Sequence, residues 1–304
     1  MSPSYSYSYS WDGLGNRRSF GDWIVCGEGP PAYSVQAETP AVPASPDRAA
    51  RSASPERAEH DAPEGGANSA AWGLAYRNVF SDLGQWMGKV LLGQGLPESV
   101  VHLPRGPIRN AHQLALAAQV SDASANRWVR AMEGMHFLRR SRSELALLRP
   151  GDFLERWQNA VRARPVLEIR AVFEWPSERP GEELHECLRA CKLAKRYALG
   201  LYAACDALGL GIVRGVSPHL YVEDLSPHDL DALGLRPSMP GEPAHVFLRR
   251  PSAPESLFRG AVWVEGLWVA DALQCWLDLR DHPARGKEQA AFLAERLRLP
   301  CVES

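Results

Sequence analysis

The segment from Asn110 to Leu148 constrains the fold of this chain more than any other stretch of its sequence. It reads NAHQLALAAQ, then VSDASANRWVRAMEGMHFLRR, then SRSELALLRP. Each of the first two pieces repeats small or apolar residues at helical spacing, and Ser121 is a good N-cap for the second. The apolar positions are Leu114, Ala117 and Ala118, followed by Ala125, Val129 and Met132. The pattern predicts two helices joined by a tight turn.

A predicted β-hairpin follows these helices. Between Phe137 and Leu148, two short apolar runs flank a polar Ser141-Arg142-Ser143 tip, which is typical of two strands and their turn. Helix, turn, helix and hairpin in this order predict a winged helix-turn-helix. The helical spacing also places Trp128 and Met132 in its core rather than against a ligand.

Positive charge is concentrated in this part of an otherwise near-neutral chain. The 304 residues carry a formal net charge of −2, whereas the range 101–142 holds seven arginines against Asp122 and Glu133. Arginine, serine and asparagine are side chains that read base edges and hold phosphates. The candidate DNA-contacting residues are Arg109, Ser121, Asp122, Ser124, Asn126, Arg127, Arg130, Arg139, Arg140 and Arg142. The expected partner is double-stranded DNA; the alternative is a winged helix that binds protein.

Composition predicts three regions and a fold of the α+β class. Residues 1–71 are rich in Pro, Ala, Ser and charge, which predicts a disordered low-complexity tail. Residues 72–150 form the predicted winged helix, beginning with a helix over Tyr76–Leu92 that Ser81-Asp82 caps or interrupts. A helical connector over Gly151–Arg162 leads to a mixed α/β domain at 163–304.

The second domain shows both strand and helix patterns, typical of a mixed α/β fold. Glu183–Leu208 predicts one long helix or two consecutive helices, and the chain ends with helices over Ala270–Leu279 and Arg285–Leu297. The predicted strands are Leu167–Phe173, Gly211–Val216, His219–Glu223, Ala244–Leu248 and Ala261–Val264.

Other candidate sites give weak signals. His185, Cys187, Cys191 and Cys205 lack the paired spacing of a zinc site, so buried structural cysteines are favoured. Glu265, Asp271, Asp278, Asp281 and the Asp229-Leu230-Asp231 run are expected to be solvated or capping acids rather than nuclease or nucleotidyltransferase groups. We therefore expect neither an enzyme nor a cofactor or metal. The apolar stretch Tyr197–Val213 is too short and polar to span a membrane, and no signal-peptide pattern is seen, which predicts a cytoplasmic protein.

Three segments resemble bacterial AbiEi-family proteins. FSDLGQWMGKVLL (Phe80–Leu92), followed by the helix-turn-helix, is similar to the amino-terminal part of that family. The run beginning at Tyr197 is also similar. ADALQCWLDLRDHPARGKEQAAFL (Ala270–Leu293) is similar to the carboxy-terminal signature, with Asp271, Gln274, Leu277-Asp278-Leu279 and Arg285-Gly286 at its marked positions.

The resemblance implies a transcriptional regulator and antitoxin of a type IV toxin-antitoxin system. Members repress their own promoter by binding inverted repeats, and the carboxy-terminal domain counters a nucleotidyltransferase-like toxin without a stable complex. By position, Ser121, Asn126, Arg127 and Arg130 inherit the DNA-contacting role. The long tail departs from the family pattern, so a stand-alone regulator without a toxin remains an alternative.

Overall fold

The computed structural model describes residues 79–141, 144–164, 166–191, 193, 196–224 and 226–300. It also describes two dipeptide strands, β1 (Tyr5–Ser6) and β2 (Ile24–Val25), which pair antiparallel within a separate unit, Met1–Asp61. Apart from these dipeptides, the predicted tail at 1–71 lies outside the described residues. Everything below concerns the unit that runs from Ala62 to Ser304.

The first part of this unit is helical, with one small hairpin. Helix α1 begins at Asp82 because the Ser81 hydroxyl caps it by accepting from the Gly84 amide at 3.3 Å. The predicted start at Tyr76 lies outside the described residues. The elements are α1 (Asp82–Leu92), a 3-10 turn (Gly93–Gly95), α2 (Ala111–Ala118), α3 (Asp122–Gly134), β3 (Leu138–Arg140), β4 (Leu145–Leu147) and α4 (Pro150–Arg162). The predicted hairpin and helical connector are present.

A seven-stranded mixed sheet dominates the second part. The strands are β5 (Leu167–Phe173), β6 (Tyr197–Gly200), β7 (His219–Val222), β8 (Leu235–Pro237), β9 (Val246–Arg250), β10 (Val262–Val264) and β11 (Leu267–Val269). Their order in the sheet is β10-β11-β6-β7-β9-β5-β8, and the pairs β7–β9 and β6–β11 are parallel while the others are antiparallel. The helices are α5 (Pro180–Ala190), α6 (Leu201–Ala207), α7 (Pro227–Ala232), α8 (Pro254–Gly260), α9 (Ala272–Leu279) and α10 (Gly286–Leu297).

Two predictions in this part are wrong. Tyr197–Gly200, placed within a helical stretch, is strand β6, and its last three residues are buried between β11 and β7. A strand buried on both faces shows no alternation, so its short apolar run looks like part of a buried helix. Gly211–Val216, predicted as a strand, forms no regular element. Strands β8 and β11 and helices α7 and α8 were not predicted.

One continuous hydrophobic core joins these elements into a mixed α/β fold. On its helical side, the ring of Phe153 in α4 lies 5.5 Å from Phe80, 5.7 Å from Phe137 and 5.6 Å from Trp157. Helix α4 thus packs α1 and the hairpin together. Within the described ranges, no helix is both long and apolar enough to cross a membrane.

Candidate nucleic-acid interface

Helices α2 and α3 are joined by a short, well-defined turn. Asn110 caps α2, its side-chain oxygen accepting from the Gln113 amide at 2.9 Å, and α2 ends at Gln119 in the left-handed conformation with φ of 50°. Ser121 then caps α3 by accepting from the Ser124 amide at 3.2 Å. The predicted N-cap at Ser121 is confirmed. Helix α2 therefore ends at Ala118 and α3 begins at Asp122, with only the residues 119–121 between them.

The inner face of α3 is anchored in the core. Ala125, Val129 and Met132 are fully buried, and the Trp128 indole donates to the Val79 carbonyl at 2.9 Å. The prediction that Trp128 and Met132 are core residues is confirmed. Because this face is held by apolar contacts and one buried hydrogen bond, the opposite face is presented to solvent in a fixed orientation.

The predicted contact residues of α3 lie on or beside its outer face. Ser121, Asp122, Arg127 and Arg130 are exposed, whereas Ser124 and Asn126 are half-buried. Arg127 and Arg130 are three residues apart and therefore lie one helical turn from each other. The structure thus places two arginines together on the exposed face of a helix whose opposite face is buried.

Most of these side chains already make local hydrogen bonds. Asn126 donates to the Asp122 carbonyl at 2.9 Å, and Arg127 donates to the Ser124 hydroxyl at 3.4 Å. The Asp122 carboxylate lies 2.8 Å from Nδ1 of His112 on α2. The Asp122 carboxylate is thus partnered within the protein. Sequence reasoning missed His112 because its partner lies on the next helix.

The hairpin divides its arginines between two environments. In β3, Arg140 lies on the same face as Leu138 and pairs with Glu133 of α3, with Nε 3.3 Å from Oε1. Arg139 lies on the opposite face and is exposed, as is Arg109 ahead of α2. Arg142 at the predicted tip lies outside the described residues. Both arginines are exposed, but Arg140 is ion-paired within the protein, whereas Arg139 extends from the other face of the strand.

The base of the hairpin carries a further arginine that sequence reasoning did not single out. Arg149 adopts the left-handed conformation with φ of 64° and donates to the carbonyls of Met135 and His136 at 3.2 and 3.3 Å. Its guanidinium lies 5.1 Å above the Phe137 ring. These contacts fix the hairpin against the end of α3.

The carboxylates at the carboxy-terminal end fall into two groups. Glu265 and Asp281 are exposed, as predicted, and Asp271 caps α9 by accepting from the Gln274 amide at 3.0 Å. Asp278 is neither a cap nor a freely solvated acid, so that expectation is wrong. Its Oδ2 accepts from Tyr221 at 2.5 Å and from Gln274 at 2.9 Å.

The Asp278 carboxyl lies in a low-dielectric environment. Burial raises its pKa, although the hydrogen bonds from Tyr221 and Gln274 act in the opposite direction. Asp229 of the Asp-Leu-Asp run forms a capping box with Ser226 at the start of α7. Asp229, Asp271 and Asp278 therefore make structural contacts.

The four cysteines that the structure describes are free thiols. Cys205 and Cys275 are buried, and Cys187 and Cys191 are half-buried. Burial raises the pKa values of Cys187 and Cys191, which favours the neutral thiol over the metal-binding thiolate. Across the described part of the chain, no group of three or more His, Cys, Asp or Glu side chains could hold a metal ion.

A cleft of about 970 Å³ lies between α4, α9 and α10, away from α3. Its floor includes Leu154, Trp276 and Ala290, and its rim carries both signs of charge. The cleft therefore does not extend the basic surface around Arg127 and Arg130.

No protein-family model, curated protein or solved structure matches this chain. The case for its function accordingly rests on its own residues and on the resemblance described above.

Proposed function

We propose that this protein is a sequence-specific DNA-binding transcriptional repressor, in which residues 110–148 act as a winged helix-turn-helix. Helix α3 serves as the recognition helix and the β3–β4 hairpin as the wing. The observation that carries the proposal is the two-sided character of α3. One side is fully buried through Ala125, Val129 and Met132, and the other presents Arg127 and Arg130 to solvent.

The side chains on the outer face match the donors that the major groove requires. An α-helix fits that groove, and arginine can donate two hydrogen bonds to guanine O6 and N7. In this proposal Arg127 and Asn126 read base edges, while Ser121 and Ser124 approach the sugar-phosphate backbone. Arg139, and Arg142 at the tip predicted from the sequence, hold flanking phosphates.

The proposed biological role is autoregulation with an antitoxin activity. The resemblance to AbiEi proteins supports binding to inverted repeats in the protein's own promoter. It also supports antagonism of a nucleotidyltransferase-like toxin by the carboxy-terminal part, in the cytoplasm. The protein is proposed to have no enzymatic activity of its own. The buried partners of Asp271 and Asp278 support this, because they tie both acids into the fold.

Salt-controlled titration of labelled duplexes tests the DNA-binding proposal. The probes are the gene's own upstream region and a scrambled duplex of equal length. We expect Arg127→Ala to weaken specific binding by about 1–3 kcal/mol and to relax sequence preference. We expect Arg139→Ala to weaken both duplexes alike and to reduce the salt slope by about one unit.

Arg296→Ala is the matched control, because Arg296 is an exposed arginine on α10. It should leave both affinities unchanged. If Arg127→Ala and Arg139→Ala also leave them unchanged, the proposed interface is wrong. If the native protein binds neither duplex, the winged helix is better explained as a protein-interaction module.

Co-expression tests the antitoxin role separately. The neighbouring reading frame should encode a nucleotidyltransferase-like toxin whose growth inhibition this protein relieves. If no such gene lies there and no such toxin is neutralised, the protein is a stand-alone regulator. A metal-dependent nuclease or nucleotidyl-transfer activity of the folded protein would instead indicate an enzyme.

A further inference from the structure

The turn between α2 and α3 is held by an arginine that comes from the other part of the chain. Arg259 is the penultimate residue of α8, in the carboxy-terminal part. Its Nη1 donates to the Ala118 carbonyl at 2.8 Å and lies 3.4 Å from the Gln119 carbonyl. Residues 118 and 259 are 141 positions apart, so only the tertiary fold brings them together.

The carbonyls that Arg259 contacts lie at the carboxy-terminal end of α2. The last four carbonyls of a helix have no intrahelical donor, and a cation there also interacts favourably with the helix dipole. The Ala118 carbonyl accepts a second hydrogen bond from the Trp86 indole at 2.9 Å. Two donors, one from α1 and one from α8, therefore converge on the last residue of α2, where the turn begins.

Arg259 is itself held in place by an ion-pair chain. Its Nε lies 2.7 Å from Glu255, and the other oxygen of Glu255 lies 2.8 Å from Arg196. Burial alone would raise the pKa of Glu255, but the hydrogen bonds from Arg196 and Arg259 lower it. The Glu255 carboxylate is thus ionised and fixes the direction of the Arg259 guanidinium.

Helix α8 is also fixed to α1 at its beginning. Asp82 accepts from the amides of Glu255 and Ser256 at 3.0 and 2.9 Å, and Lys89 donates to the Ser256 carbonyl at 2.9 Å. The position of α8, and with it that of Arg259, is therefore determined by the same helix that underlies α2 and α3.

We propose that Arg259 is a positioning residue for DNA binding: it sets the orientation of α3 by holding the turn that precedes it, without touching DNA. This inference rests on the proposed function. In the absence of Arg259, the turn populates other orientations. Affinity then falls in proportion to the fraction of molecules with α3 in the binding-competent orientation.

The experiment compares Arg259→Ala with the native protein on the upstream duplex over a range of salt concentrations. We expect about a tenfold weaker Kd, equivalent to ~1.4 kcal/mol, with an unchanged salt slope. The slope distinguishes positioning from contact, because loss of a direct phosphate contact lowers it by about one unit. Arg259→Lys keeps the charge and one donor, and should recover part of the affinity.

Two controls separate this effect from general destabilisation and charge loss. Arg250→Ala removes an exposed arginine from the end of β9 and should leave Kd unchanged. Amide hydrogen exchange of the segment 116–124 should be faster in Arg259→Ala than in the native protein, with no DNA present. If Arg259→Ala does not fold, Glu255→Gln, which loosens the hold on Arg259, should give a smaller change in the same direction.

Each result decides the inference. An unchanged Kd in Arg259→Ala, or a salt slope reduced by about one unit, overturns it. If the native protein binds no duplex, the proposed function fails. The exchange measurement still tests whether Arg259 orders the turn, since unchanged exchange rates contradict that role independently of DNA.

Discussion

Lys89→Met should be among the most destabilising single changes in this fold. Lys89 and Asp271 are both fully buried, and their charged atoms lie 2.8 Å apart. Lys89 also donates to the Ser256 carbonyl at 2.9 Å and lies 3.4 Å from the Gln274 side-chain oxygen. Methionine fills a similar volume, so the change removes the charge and the donors while leaving the packing largely intact.

The magnitude follows from what remains after the change. The Asp271 carboxylate keeps its bond from the Gln274 amide but loses its counter-ion in a site that water does not reach. Breaking a buried ion pair by removing one partner costs about 3–5 kcal/mol. Native proteins are stable by only about 5–15 kcal/mol, so the variant should lose a large fraction of its stability.

Urea unfolding followed by tryptophan fluorescence and circular dichroism measures the effect. The double variant Lys89→Met with Asp271→Asn is the matched control, because asparagine still caps α9 and no buried charge remains. It should recover at least about half of the loss, or about 1.5–2.5 kcal/mol, because no unpaired charge is then left buried. A single variant that loses less than about 1 kcal/mol, or a double variant no more stable than the single, would refute the reasoning.

Two further changes test the recognition helix and the sheet. Ser121→Ala should lower the free energy of unfolding by about 1 kcal/mol through loss of the cap, whereas Ser121→Asn should retain it; equal urea midpoints for the two variants would contradict this. Burial, with Arg249 and His282 nearby, lowers the pKa of His219 from 6.5 to about 3. Between these two pKa values the folded state therefore binds fewer protons than the unfolded state. The stability that depends on a neutral His219 is complete above pH 6.5 and decreases as the pH falls towards 3. Native stability should fall by up to ~1.4 kcal/mol per pH unit in that window, and His219→Gln should show a shallower dependence.

Much of the candidate interface could be predicted from local sequence patterns. The Ser121 cap, the buried residues of α3 and the two strands of the hairpin all follow from contacts between residues close in the chain. The two-sided character of α3 likewise follows from helical spacing, because residues three and four apart share a face. These features depend on short-range geometry, which is the same wherever the segment occurs.

The charge state of the interface was less predictable. Counting arginines assigned Arg139 and Arg140 the same role, but strand alternation directs Arg140 towards Glu133 of α3. His112 and Asp122 are likewise paired across two helices. Which charges remain available for phosphate depends on these neighbours, and a linear count cannot distinguish them.

By itself, the sequence determined where the helices of the basic segment begin, which of their residues are buried, and that a hairpin follows. Only the tertiary structure decided that Tyr197–Gly200 is a strand, that Lys89 meets Asp271, and that Arg259 reaches the turn after α2. Helix caps and amphipathic faces depend on neighbours within about four residues. Strand order and the buried ion pair depend on residues far apart in the chain, and these meet only after the chain has packed around its common core.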